Sequence, residues 1–86
     1  MAFIANIPTG RVNYKNMYTR VEKVEFLKGS ICKVDFGCYQ EAPAVGEIPM
    51  VVLTKEFSSE SYQATDPFEY AYLNTKTMFD IVQDNV

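Results

Sequence analysis

Ile31-Cys32-Lys33-Val34-Asp35-Phe36-Gly37-Cys38-Tyr39 alternates apolar and polar residues with a period of two. Cys32, Val34, Phe36 and Cys38 share one face and Lys33, Asp35 and Gly37 the other, because successive side chains of an extended chain point to opposite sides. This is a half-buried strand, and its phase organises the sequence on either side. Immediately upstream, Leu27-Lys28-Gly29-Ser30 reads as a tight hairpin turn in which Gly29 supplies a positive φ. Residues 17–26 then run back as a strand, but their apolar phase slips from Val21 to Val24 and Phe26, which predicts a bulge near Glu22 and Lys23. Downstream, residues 40–47, with Pro43 and Gly46, form a loop. Residues 48–57 form a third strand whose centre, Met50-Val51-Val52-Leu53, is apolar on both faces, as expected of a strand flanked on both sides. Pro49 fits only at the first residues of such a strand or on an edge.

Further out the pattern changes. Residues 3–7 read as a short edge strand closed by Pro8-Thr9-Gly10, and residues 11–16 as an arm on a neighbour or a loop leading into the next strand. Residues 58–65 are polar apart from Tyr62 and suit a loop or short edge strand. Asp66-Pro67-Phe68-Glu69 is a helix start: Asp66 as N-cap, Pro67 at the first helical position, Glu69 placed for the reciprocal capping bond. Phe68, Ala71, Tyr72 and Thr75 follow at helical spacing, and Met78, Phe79 and Val82 continue it. Asn74-Thr75-Lys76-Thr77 is poor helix material, and Thr77 with Asp80 suits a new cap, so one helix and two remain equally compatible. Strands first and helices last give an α+β fold: a small antiparallel β-sheet, barrel or sandwich with one or two short C-terminal helices. The expected layout is a single domain over residues 1–86, with an N-terminal arm or edge strand at 1–16, a sheet core at 17–57 and a helical segment at 66–84.

The chain has 86 residues, 48% of them apolar and 14% aromatic. That is enough for one core burying roughly 60–65% of the unfolded surface, with assembly a natural supplement to its stability. The net charge is −3. Residues 1–40 carry six Lys/Arg against three acids, and residues 41–86 carry two Lys against eight acids. Such polarity suits head-to-tail packing of copies as well as attraction within one fold. Cys32 and Cys38, six apart in one strand, stand about 20 Å apart, beyond disulfide reach. Both fall on the buried phase and suit a reducing cytosol as the place of synthesis. Residues 1–8 have no basic segment ahead of their apolar stretch, so no secretory leader is expected, and the longest apolar run is too short to span a bilayer.

Histidine is absent, which removes the commonest general base and metal ligand. Two thiols cannot build a structural zinc site, and neither a calcium loop, a dinucleotide fingerprint nor a P-loop is present. Glu56 with Glu60, and Asp80 with Asp84, are the carboxylate pairs available for acid–base work, but surface solvation explains them as well. Ser58, Ser59 and Ser61 have no base to activate them. The expectation is a protein that is not an enzyme and has no cofactor, metal or small-molecule substrate.

The aromatics suit a docking surface better. Tyr14, Tyr18, Tyr39, Phe57 and Tyr62 are the candidate protein interface. With Phe36 they also allow base stacking on a small barrel, with Arg11, Lys15, Arg20 and Lys23 on phosphates, but the net acidity opposes nucleic acid.

Two stretches resemble small, often hypothetical proteins of tailed phages. In those proteins a tyrosine-bearing strand and a lysine-containing turn lead to a strand ending in tyrosine, matched here by Tyr18, Lys28 and Tyr39. They close with a Tyr-x-Tyr-Leu-x-Thr helix, then Phe and a late Asp, matched by Tyr70, Tyr72, Leu73, Thr75, Phe79 and Asp84. About half the chain is covered, and Thr77 stands where the family usually has a helix-restarting proline. The resemblance implies a phage origin and an accessory or structural role in the virion, docking onto a larger tail, fibre or capsid protein or onto copies of itself. The alternatives are a phage inhibitor of a host enzyme or defence complex, using the acidic half, and a single-strand nucleic-acid binder.

Overall fold

The computed structural model describes residues 2–63 and 65–84; Met1, Ala64, Asn85 and Val86 lie outside the described residues. The strands are β1 (Ala2–Pro8), β2 (Asn13–Leu27), β3 (Ile31–Tyr39), β4 (Val51–Ser58) and β5 (Asp80–Asp84), with α1 (Pro67–Thr75) and a 3-10 turn (Lys76–Met78) between the last two. All pairings are antiparallel, in the order β4-β3-β2-β1-β5. The fold is α+β. The sheet stays open, with β4 and β5 as its two edges, and does not close into a barrel.

The alternation in β3 is realised as expected: Cys32, Val34, Phe36 and Cys38 are all sealed from solvent. Their neighbours on the same face are Phe3, Ala5 and Ile7 of β1 and Met17 of β2, with Ala71 and Tyr72 of α1 above them. Burying a side chain such as Phe3 or Phe36 contributes roughly 1.5–3 kcal/mol. The helix lies over β2 and reaches β4. Its cap is the Asp66 carboxylate, which accepts from the Phe68 N–H at 2.9 Å; Pro67 opens the helix. Glu69 is exposed and forms no reciprocal bond among the described residues.

The bulge falls where the phase slip places it. Val21 opposes Phe36 and Lys23 opposes Asp35, leaving Glu22 as the extra residue. The hairpin turn holds Gly29 at φ 82° and Ser30 at φ 58°.

Four expectations are corrected. Residues 3–7 are no edge: β1 is paired on both sides, by β2 and β5, and carries some of the most buried side chains. Residues 13–16 are no arm, because β2 begins at Asn13; a second irregularity sets Lys15 and Asn16 against Asn6, with Asn16 at φ 54° and its N–H donating to the Asn6 side-chain oxygen Oδ1 at 3.2 Å. The third strand starts at Val51 and lies on the edge, and Val52, on the uncovered face opposite Gly37, is 60% exposed. Pro49, lacking an N–H, stays outside it. Finally, residues 80–84 form a strand paired with β1 and not a second helix. Helical spacing of Phe79 and Val82 is local information, and an unpaired β1 edge outweighs it, since each strand residue gains ladder bonds there.

Candidate functional site

The five candidate interface residues do not converge. Tyr14 is half-buried against the core beside Ile7, its partner across the β1–β2 ladder. Phe57 and Tyr62 are half-buried at the helix-covered face: Tyr62 lies tilted against Phe26 at 4.5 Å and edge-on to Tyr70 at 5.0 Å, Phe57 lies 5.7 Å from Tyr70, and the Tyr62 hydroxyl donates to the Thr65 carbonyl at 2.6 Å. Tyr18 and Tyr39 oppose each other across β2 and β3 on the other face. Tyr39 is only 2% exposed.

Tyr39 belongs to a polar cluster that the sequence reading missed. Its hydroxyl donates a short hydrogen bond to the Glu22 carboxylate, which also accepts from Arg20 Nε at 2.8 Å. Arg20 Nη2 donates to the Tyr39 hydroxyl at 3.3 Å, and the guanidinium lies 5.0 Å from the ring centroid. Glu22, two residues after Arg20, falls on the same face, and the bulge leaves it without a partner of its own on β3. Gly37 makes room for it, since a Cβ there would lie 2.5 Å from Glu22 Oε1 and 2.9 Å from its Cγ. A glycine on the polar face opposite a predicted bulge was the available signal.

The hydrogen bonds fasten this cluster, and the pKa values of its groups shift with them. Burial works to raise the Glu22 carboxyl, but the Tyr39 and Arg20 hydrogen bonds and the Arg20 charge outweigh it, so its pKa is lowered. Burial, then the bond to Glu22, raises the Tyr39 phenol. The bond to Glu22 raises Arg20. Burial raises the Cys32 and Cys38 thiols, with a bond from Thr19 partly opposing it at Cys38. Each of these displacements carries its group away from neutrality, the opposite of what acid–base or thiolate chemistry requires.

The residues on which the expected resemblance rests are also mostly packing residues. Tyr70, Tyr72 and Thr75 are buried; the Tyr70 hydroxyl bonds Ser61 Oγ at 2.9 Å, Thr75 donates to the Ala71 carbonyl at 2.6 Å, and Tyr72 donates a short bond to Asp84. Phe79 packs 5.0 Å from Phe3 and 4.9 Å from Phe36. Leu73 is turned largely to solvent, and Asp84 is also exposed.

Two small clefts lie near the C-terminal segment, one at the start of the helix and one beside the 3-10 turn. One, about 240 Å³, is lined by Val21, Asp66, Phe68 and Glu69. The other, about 150 Å³, lies where Leu53 and Lys55 approach Ile7, Met78 and Phe79. Both are below the usual size of a ligand pocket. Among the described residues no three His, Cys, Asp or Glu side chains gather as metal ligands.

Among the described residues the most exposed large apolar side chains lie elsewhere, on the loop between β3 and β4 and the strand it feeds. Val45 is fully exposed, Ile48 is 85% exposed, and Met50 and Val52 are more than half exposed. Gly46, at φ 82°, and a turn closed by Glu47 N–H on the Ala44 carbonyl at 3.1 Å shape the loop, and Met50 N–H on the Cys38 carbonyl at 2.9 Å returns it to the sheet. No family model matches this chain, and no curated protein or solved structure does either.

Proposed function

We propose that this chain is a non-enzymatic accessory component of a phage virion that docks onto a larger tail, fibre or capsid protein. The observation that supports docking is the loop carrying Val45, Ile48 and Met50 in water on a chain with a small core. Large apolar side chains exposed on one loop favour removal from water, and Glu41 and Glu47 of the same loop add acidic charge that orients a partner. The virion setting rests on the C-terminal Tyr-x-Tyr-Leu-x-Thr resemblance.

The test is mass spectrometry of purified particles together with affinity capture by the intact chain. A stoichiometric tail, fibre or capsid protein is the expected partner, lost in an Ile48→Ser/Met50→Ser variant that still folds. Absence of the chain from particles overturns the virion assignment. Stoichiometric capture of a host enzyme instead favours the inhibitor alternative.

A further inference from the structure

We infer that β4 is a homodimer edge: it pairs antiparallel with β4 of a second copy about a two-fold axis at Thr54, joining two five-stranded sheets into one of ten. This interface is independent of the virion assignment.

Edge strands are ordinarily guarded by brevity, charge or bulges. The two edges of this sheet differ in that respect. β5 has five residues, an irregularity at Val82, and acids at both ends, with Asp80 bonded to Asn6 at 3.0 Å and Asp84 paired with Lys76 at 3.6 Å. β4 has eight residues in unbroken register with β3 and no proline. Its one inward charge, Lys55, the residue type that usually guards an edge, is drawn over the protein's own Phe79 ring, 5.5 Å from the centroid.

A two-fold axis perpendicular to a sheet sets like faces together, so the paired strands can shift only by steps that keep inward residues opposite inward residues. Centring on Lys55 opposes lysine to lysine, and centring on Glu56 opposes glutamate to glutamate. Centring on Leu53 brings Pro49, which has no N–H, into the ladder. Centring on Thr54 avoids all three: Val51 meets Phe57 and Leu53 meets the Lys55 stem on the inner face, while Val52 meets Glu56 on the outer face. No like charges oppose one another, and the 60% exposed Val52 is covered. The Thr54 hydroxyl already donates to Asp35 at 2.8 Å, which leaves its methyl group for the symmetry mate.

Cysteine cross-linking of the full chain tests the register. Antiparallel neighbours at the axis stand about 4.5–5.5 Å apart between Cα atoms, within disulfide reach. Two copies of residue 56 would be separated by roughly 13 Å. Under mild oxidation Thr54→Cys is expected to form covalent dimer and Glu56→Cys to form about ten-fold less; the wild type, with both thiols buried, sets the baseline. Sedimentation of the wild type is expected to show twice the chain mass at high concentration, returning to the chain mass in a Thr54→Pro variant whose far-ultraviolet spectrum is unchanged. A wild type of single-chain mass up to its solubility limit, or equal cross-linking at positions 54 and 56, overturns the proposal whether or not the chain is found in particles.

Discussion

Gly37 shows how one residue on the solvent side of a sheet couples to several others. Its missing side chain is the space in which the Glu22 carboxylate accepts from Tyr39 and Arg20. In a Gly37→Ala variant the β-carbon meets the Glu22 side chain along its length, and the carboxylate leaves the cluster. Urea unfolding is expected to register a loss of about 1–2 kcal/mol, although alanine outranks glycine in strands generally. A second Glu22→Ala substitution in that background is expected to cost little more, since the same bonds are already gone. The cluster also gives stability a pH dependence at both extremes. Glu22 has a lowered folded pKa, so its contribution is present above the ordinary carboxylate range and is lost as pH falls through the lowered value. Tyr39 has a raised folded pKa, so its contribution is present below the ordinary phenol range and is lost as pH rises through the raised value. Glu22→Gln is expected to flatten the acid limb of a melting-temperature profile, and Tyr39→Phe the alkaline limb. Both effects are small because Arg20 and Glu22 are each about one-third exposed.

At the level of elements, a helix and a strand compete for the C-terminal residues, and tertiary pairing decides. Asp66 starts the helix by local chemistry, so Asp66→Ala is expected to lower stability by about 1 kcal/mol in chemical denaturation. The stop is not local. After Met78 the chain turns into β5, where the Tyr72 hydroxyl on α1 holds Asp84 on the strand. Tyr72→Phe is expected to speed hydrogen exchange in β5 while leaving β3 protected, because β5 has a partner on one side only. The same contrast explains what was legible in the sequence. Cys32-x-Val34-x-Phe36-x-Cys38, the slip at Glu22, Gly29 and the Asp66 cap are local signals, and each was readable. The pairing of β1 with β5 joins residues nearly 80 apart and leaves no local trace, so Phe3 to Ile7 reads as an edge and Val82 as helix. The candidate interface was legible only as a composition. Sequence supplies tyrosines but not the faces on which they fall, and Tyr39 and Tyr62 prove to be engaged within the protein.

At the scale of the whole molecule, an open sheet whose edges do not meet leaves a seam where β4 approaches β1, and one side chain, Phe79, packs into it beside the 150 Å³ cleft. Phe79 leaves the 3-10 turn and packs against Phe3 and Phe36 with the Lys55 ammonium over its ring, linking β1, β3 and the edge strand β4. Phe68, the other phenylalanine of the C-terminal region, lies on the helix surface and is about half exposed. The two therefore separate packing across the seam from aromatic content. Phe79→Ala removes a half-buried ring that touches two core aromatics and is expected to cost about 2–4 kcal/mol. A chain of this length is stabilised by roughly 4–13 kcal/mol in all. The loss is therefore a large share of the total and is expected to lower the melting temperature by about 10–20 °C. Phe68→Ala is expected to change it by only a few degrees. Equal effects of the two substitutions in thermal unfolding would mean that the C-terminal segment is held by the helix face alone and that the seam contributes nothing.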